Sequence, residues 1–358
     1  MRYLLFLLLS AGLSCSSTKD SVEKPYHHTE NGFQNNHTID KHGFGDFLRW
    51  QWDTIGKNQT RVEYQLDGND PDFILNNRTE PTVTWVGHAT FLIQFDGLNI
   101  LTDPIFSERC SPFQWAGPKR TTPPGIDFEN LPEIDIVLIS HDHFDHLDEG
   151  TVVRMREKQP DNPPAYYVPL GIKAWFNDLE VENVTEYDWW DNEKHDNVLI
   201  HCVPAQHFSG RSLFNRNGTL WSGWVLQFES GYTMYFAGDT GYSPDFKNIG
   251  DRFGPMDLSF IPIGAYKPRW FMGPVHVDPA QAVKIHEDVQ SKKTIAMHWG
   301  VFGLADEDMD EPPKLLKEAR DSVGIEENEF FVMRHGQMIN LNEEIEIKDP
   351  LADSVRVE

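Results

Sequence analysis

Apolar residues recur along this chain in short dense runs separated by turn residues. The runs are Thr82–Val86, Phe91–Phe95, Leu98–Thr102, Ile134–Ile139, Ala165–Pro169, Val198–Val203, Trp224–Phe228, Tyr232–Phe236, Leu258–Ile263 and Lys293–Met297. Their length and their β-branched and aromatic content predict strands. Asp96-Gly97 joins two of them as a hairpin, and Glu229-Ser230-Gly231 joins two more. The first hairpin closes on Asp103-Pro104 and the second on Asp239, which points to two related halves. Helical periodicity falls between the strands. Asp148 precedes Val152, Val153 and Met155 in a capped amphipathic pattern, Asp278-Pro279 opens a second helix, and Pro312–Val323 forms a third that stops at Gly324. Strands alternating with helices predict an α/β fold, built as a single large domain.

The ends read differently. Residues 1–14 carry one Arg, then Leu4–Leu9, then small residues, and are too short to span a bilayer. They fit a secretory leader. Leu13-Ser14-Cys15 resembles the end of a bacterial lipobox, so Cys15 is the expected lipidation site. Residues 15–43 read as a lipidated Cys and a polar, flexible linker, and its His27, His28, His37 and His42 as scattered surface residues with no metal. The domain is placed at 44–345. Its first part, 44–80, begins with Phe44, Phe47, Leu48, Trp50 and Trp52 and reads as a strap packed on the domain, with a membrane-interface role as the alternative. Residues 346–358 form an acidic tail expected to fray.

Composition narrows the partners. With 56 acidic against 31 basic residues the formal net charge is −25, which excludes a nucleic-acid surface and disfavours electrostatic docking on anionic lipid. The 11 Trp and 23 Phe mostly build a large core, with an apolar substrate groove as a further use. The three Cys give no thiolate metal site, and Cys110 and Cys202 could pair only as one isolated disulfide.

The chemistry concentrates in Ser140–Asp148, which holds His141, His143, Asp145 and His146 at the carboxyl end of a strand. That is where α/β folds place their sites. His207, Asp239 and His298 each follow the end of another strand. Taken alone, either His would more often be a hydrogen-bonded core residue, and Asp239 a turn residue. Their joint placement predicts two metal ions. His141, His143 and His207 would hold one, Asp145, His146 and His298 the other, and Asp239 would bridge them. Imidazole and carboxylate without thiolate suit Zn2+ ahead of iron or manganese. Two ions about 3.5–4 Å apart can share a nucleophilic hydroxide.

His141-Asp142-His143-Phe144-Asp145-His146 is similar to the His-x-His-x-Asp-His signature of the metallo-β-lactamase superfamily. Longer stretches resemble one branch, the N-acylphosphatidylethanolamine-hydrolysing phospholipase D family. They include Trp85–Thr90, Leu101–Ser107, Gly117–Arg120, Asp188–Trp190, Phe236–Tyr242, Ile261–Phe271, His276–Pro279 and Met297–Gly300. The resemblance implies a metallo-β-lactamase-like αββα sandwich and two zinc ions on the seven residues named, with Asp239 and Asp145 central to catalysis. It implies cleavage of a phospholipid to phosphatidic acid and N-acylethanolamine by a metal-bridging hydroxide. A substrate-contacting His of the family matches His276. Its aromatic substrate contact, a Tyr, is Phe144 here. A lactonase or broader phosphodiesterase is the enzymatic alternative, and a metal-binding envelope scaffold the non-enzymatic one. The expected location is the bacterial cell envelope, anchored through Cys15 to the outer membrane, and a homodimer is compatible with it.

Overall fold

The computed structural model describes residues 24–40, 42–56, 59–212 and 215–357. The leader and Cys15 lie outside the described residues. Two seven-stranded sheets stand at the centre. In the first, Thr82–Gly87, Thr90–Phe95 and Leu98–Thr102 form an antiparallel meander, after which Ile136–Leu138, Ala165–Pro169 and Val184–Tyr187 join in parallel. The second repeats the plan. Val198–Val203, Gly223–Phe228 and Thr233–Phe236 are antiparallel, and Leu258–Pro262, Thr294–Met297 and Phe330–Phe331 continue in parallel. Each half therefore changes from antiparallel to parallel pairing beside the strand that ends in Asp103 or Asp239.

Strand periodicity explains the layers. In Thr90–Phe95, Phe91, Ile93 and Phe95 join the core shared with Trp224, Leu226 and Phe260 of the second sheet. Leu92, between them, faces the other way, into a cluster with Val152 and Met155 of the helix Glu149–Lys158. On the far side, helices Asp245–Phe253, Pro279–Asp288 and Glu311–Val323 supply Phe246, Ile249, Ala282, Ile285 and Leu316. The order is helix, sheet, sheet, helix. Asp278 caps its helix by accepting from the Gln281 amide at 2.9 Å, and Gly324 ends the last helix with φ +78°. Asp148 occupies an N-cap position without capping. Its carboxylate is taken by the Ser107 amide at 3.0 Å and the Thr151 hydroxyl at 2.5 Å.

Three further expectations need correction. Residues 24–38 are not a flexible linker: they fold onto the domain through hydrogen bonds to Asp188, His207 and Asp245. His27 is accordingly buried rather than a surface residue. The acidic tail is not frayed, because Val355–Val357 pairs with Arg61–Glu63 and Lys348 reaches Asp67 at 2.7 Å. Cys202 is the buried free thiol that its apolar strand implies, and Cys110 is free and buried in a different apolar cluster, so the possible disulfide between them does not form.

Candidate metal centre

The carboxyl ends of the parallel strands and the loops behind them converge on one edge of the sandwich. The loop after Ile136–Leu138 delivers His141, His143, Asp145 and His146, and the strand Thr294–Met297 delivers His298. Close approach demands glycine at two points. A Cβ on Gly238, which has φ +61°, would lie 2.6 Å from Ser140 Cβ, and one on Gly264 would lie 2.0 Å from the His298 carbonyl. His88 and His298 themselves adopt φ of 56° and 61°, strained values for these residues that cluster where function holds them.

The seven residues expected to bind metal form two adjoining groups. In the first, His143 Nδ1 lies 2.8 Å from His141 Nε2 and 3.2 Å from His207 Nε2. In the second, Asp145 Oδ2 lies 3.4 Å from both His146 Nε2 and His298 Nε2. Asp239 Oδ2 stands between the groups, 3.1 Å from His298 Nε2, 3.3 Å from His146 Nε2 and 3.9 Å from His207 Nε2. His276 joins them, with Nδ1 3.8 Å from the same oxygen. Phe144 does not. Its half-buried ring lies under the Arg211 guanidinium at 4.0 Å, beside Trp175.

Three of the rings, His141, His146 and His207, have partners at their outer nitrogens that fix the tautomers. His146 Nδ1 donates to Asp103 Oδ2 at 2.7 Å, and His207 Nδ1 to the Val275 carbonyl at 2.9 Å. Ser140 Oγ donates to Asp103 Oδ2 at 2.6 Å and so accepts from His141 Nδ1 at 2.9 Å. In the neutral form of each ring the inner Nε2 is left with a lone pair directed into the centre. The Nε2 atoms of His141 and His207 both face His143 Nδ1, which has at most one proton for the two contacts, and His146 Nε2, His298 Nε2 and Asp239 Oδ1 are buried without a hydrogen-bond partner. Orphaned donors and acceptors at this density are costly unless a cation takes them. The donor set thus fits a metal.

Electrostatics agree. Burial, with the neighbouring imidazoles, holds His141 well below its ordinary value. Burial likewise lowers His143 to about 4 and His207, His276 and His88 to about 3. Those rings are neutral and available as ligands. Burial would also lower His146 and His298, but the surrounding carboxylates override it and raise His146 strongly and His298 to about 9. Asp145 and Asp239, which burial would raise, are held well below the usual carboxylate range by His146 and His298. A site that draws protons onto two imidazoles in this way has a field suited to a cation.

The comparisons with known proteins bear on this geometry. The beta-lactamase superfamily domain model matches residues 98–299. The N-acyl-phosphatidylethanolamine-hydrolyzing phospholipase D 1 of Caenorhabditis elegans is 40% identical over 250 residues, 67% of this chain and 69% of that protein. The chain belongs to the metallo-β-lactamase superfamily. A UPF0173 metal-dependent hydrolase of Methanopyrus kandleri is 31% identical over 241 residues, 66% of this chain and 91% of that protein. A metallo hydrolase of Ignicoccus hospitalis shares the fold, with a TM-score of 0.53 at 20% identity over 75% of this chain and all of its own. The protein is a metal-dependent hydrolase of the metallo-β-lactamase superfamily.

Two members of this superfamily centre escaped the sequence reading. His88 Nε2 lies 3.0 Å from Asp145 Oδ2, and Asp103 orients His146. Both signals were present. His88 follows the end of Thr82–Gly87 as His298 follows its strand, and Asp103 closes the first hairpin as Asp239 closes the second.

Proposed function

We propose that the protein is a dizinc phosphodiesterase of the phospholipase D type. It hydrolyses N-acylphosphatidylethanolamine-like lipids to phosphatidic acid and N-acylethanolamine. The observation that carries this reading is the double cluster sharing Asp239 Oδ2, in a chain whose relative bears that activity in its name. His141, His143 and His207 would hold one ion, Asp145, His146 and His298 the other, and Asp239 both. Bound there, such a pair supplies Lewis acidity toward a phosphoryl oxygen and an activated water at neutral pH.

The chain's own groups do the rest. Asp103, Ser140 and the Val275 carbonyl hold the rings at fixed tautomers. Asp145 stays ionised beside His146 and His298, and His88 steadies its carboxylate at Oδ2. His276 Nδ1, buried and unpartnered, faces the phosphate and orients it. The water oxygen joins phosphorus, the bond from phosphorus to the ethanolamine oxygen breaks, and a proton passes to that oxygen. Phe208, whose ring lies 4.5 Å from that of His143, offers apolar surface beside the centre for an acyl chain. Lipidation at Cys15 would tether the enzyme to the outer membrane, where its substrate lies.

The test is incubation of metal-loaded protein with mixed bilayers containing N-acylphosphatidylethanolamine. Phosphatidic acid and N-acylethanolamine should appear in equal amounts. Release of free fatty acid or lysophospholipid instead, or turnover confined to lactones, would overturn the assignment.

A further inference from the structure

We infer that the N-terminal segment 24–37 is a working part of the metal centre, and that Asn35 is the positioning residue for His207. The inference rests on the metal reading above. His207 lies past the end of the strand Val198–Val203, one residue beyond an isolated bridge between Gln206 and Gly241. At His207 itself both backbone groups are taken by one side chain from a segment 172 residues away. Asn35 Nδ2 donates to the His207 carbonyl at 2.9 Å, and Asn35 Oδ1 accepts from the His207 amide at 3.1 Å. The same oxygen accepts from Trp221 Nε1 at 3.0 Å, so the carboxamide is held in one orientation. His207 is fully buried, and its peptide groups have no access to water as substitutes. Removing the carboxamide would orphan both and let the ring drift. On its outer side the ring is anchored through Nδ1 to the Val275 carbonyl, while Nε2 faces His143 and Asp239 in the centre.

The segment is fastened on both sides of Asn35. Upstream, His27 Nε2 and His28 Nε2 reach the two oxygens of Asp188 at 2.5 and 2.7 Å, and the His27 ring stacks on Trp189 at 4.3 Å. The loop between closes with the Gln34 amide donating to the His27 carbonyl at 2.8 Å. Gly32, with φ +145°, passes so close to Asn217 that a Cβ would lie 2.1 Å from its carbonyl oxygen. Downstream, Asn36 Nδ2 donates to Asp245 Oδ1 at 3.1 Å. The His27–Asp188–His28 trio could be mistaken for a third ion site. Every contact in it pairs an imidazole N–H with a carboxylate oxygen, unlike the proton-poor contacts around His143, so it needs no ion and serves as a latch.

Asn35 acts on one ligand of one ion, and this sets the test. Metal content is measured after a timed challenge of metal-loaded protein with EDTA. Asn35→Ala should weaken retention of one ion about 10–100-fold, as loss of a ligand-orienting partner does elsewhere, and leave the second in place. Lys317→Ala, which breaks an exposed ion pair with Asp321 on the last helix, should retain both ions as the wild type does. Should Asn35→Ala fail to fold, Asn35→Asp keeps the volume and the acceptor and sets an oxygen against the His207 carbonyl, with the same selective loss expected. Retention of both ions by the Asn35 variant, or their equal loss, overturns the inference. A wild type that binds no metal would instead defeat the proposed function.

Discussion

At the scale of single residues, the centre depends on groups that never need touch a substrate. Asp103 is buried, and burial raises its pKa despite the bonds from His146 and Ser140. Among the described residues it is the group that holds His146 Nδ1. Replacing it by Ala should weaken metal binding about 10–100-fold, read by competition with a metal indicator. The raised His298 gives a pH dependence with a definite sign. Its pKa of about 9 in the metal-free centre exceeds the unfolded value of 6.5, so its protonation stabilises the folded metal-free protein below pH 6.5. That contribution fades as pH rises toward 9. The melting temperature of metal-free protein should therefore fall across this window, and that of the metal-loaded protein should not follow, because the ion replaces the proton. Parallel melting curves for the two forms would contradict the electrostatic account. Strand-end His and Asp residues were legible from sequence because a strand's end is marked by where its apolar run stops. Asp103 and His88 obeyed the same rule, but they stood apart from the dense signature and went unassigned.

At the scale of elements, what could be read depended on how each piece is held. The hairpins, with Asp96-Gly97 and Glu229-Ser230-Gly231 at their turns, are announced by apolar periodicity, and the strands Thr90–Phe95 and Leu98–Thr102 form as expected. The segment 24–38 has no such periodicity. It is ordered by the His27 and His28 bonds to Asp188 and by the Asn35 bonds to His207, contacts with residues far along the chain that no local pattern reveals. The tail was hidden for the same reason, since its strand Val355–Val357 finds its partner at Arg61–Glu63. Asp188→Ala should free the upstream anchor of the segment. Limited proteolysis should then cut between residues 24 and 34 at least tenfold faster than in the wild type, with the 82–340 core intact. An unchanged cleavage rate would show that the latch does not hold the segment.

At the scale of the whole molecule, two structurally repeated halves pack face to face and bring their switch from antiparallel to parallel pairing to one edge. The shared core makes that edge rigid. Phe91 is fully buried between the sheets, 4.6 Å from Phe260 in ring-to-ring distance, and Phe91→Ala should cost about 3–5 kcal/mol in denaturant unfolding. The layered fold was legible, because alternating strands and helices allow few arrangements. The substrate is less so, since it depends on the shape beside the metal ligands rather than on the ligands themselves, and Phe144, where the resemblance implies a Tyr, lies under Arg211. The central claim is that Asp239 joins two metal sites into one hydrolytic centre. The most direct test is metal stoichiometry and bilayer turnover measured on the same preparations of wild type and Asp239→Asn. The account predicts two ions in the wild type with release of N-acylethanolamine, and loss of bound metal together with turnover in the variant. Full turnover by Asp239→Asn would contradict it.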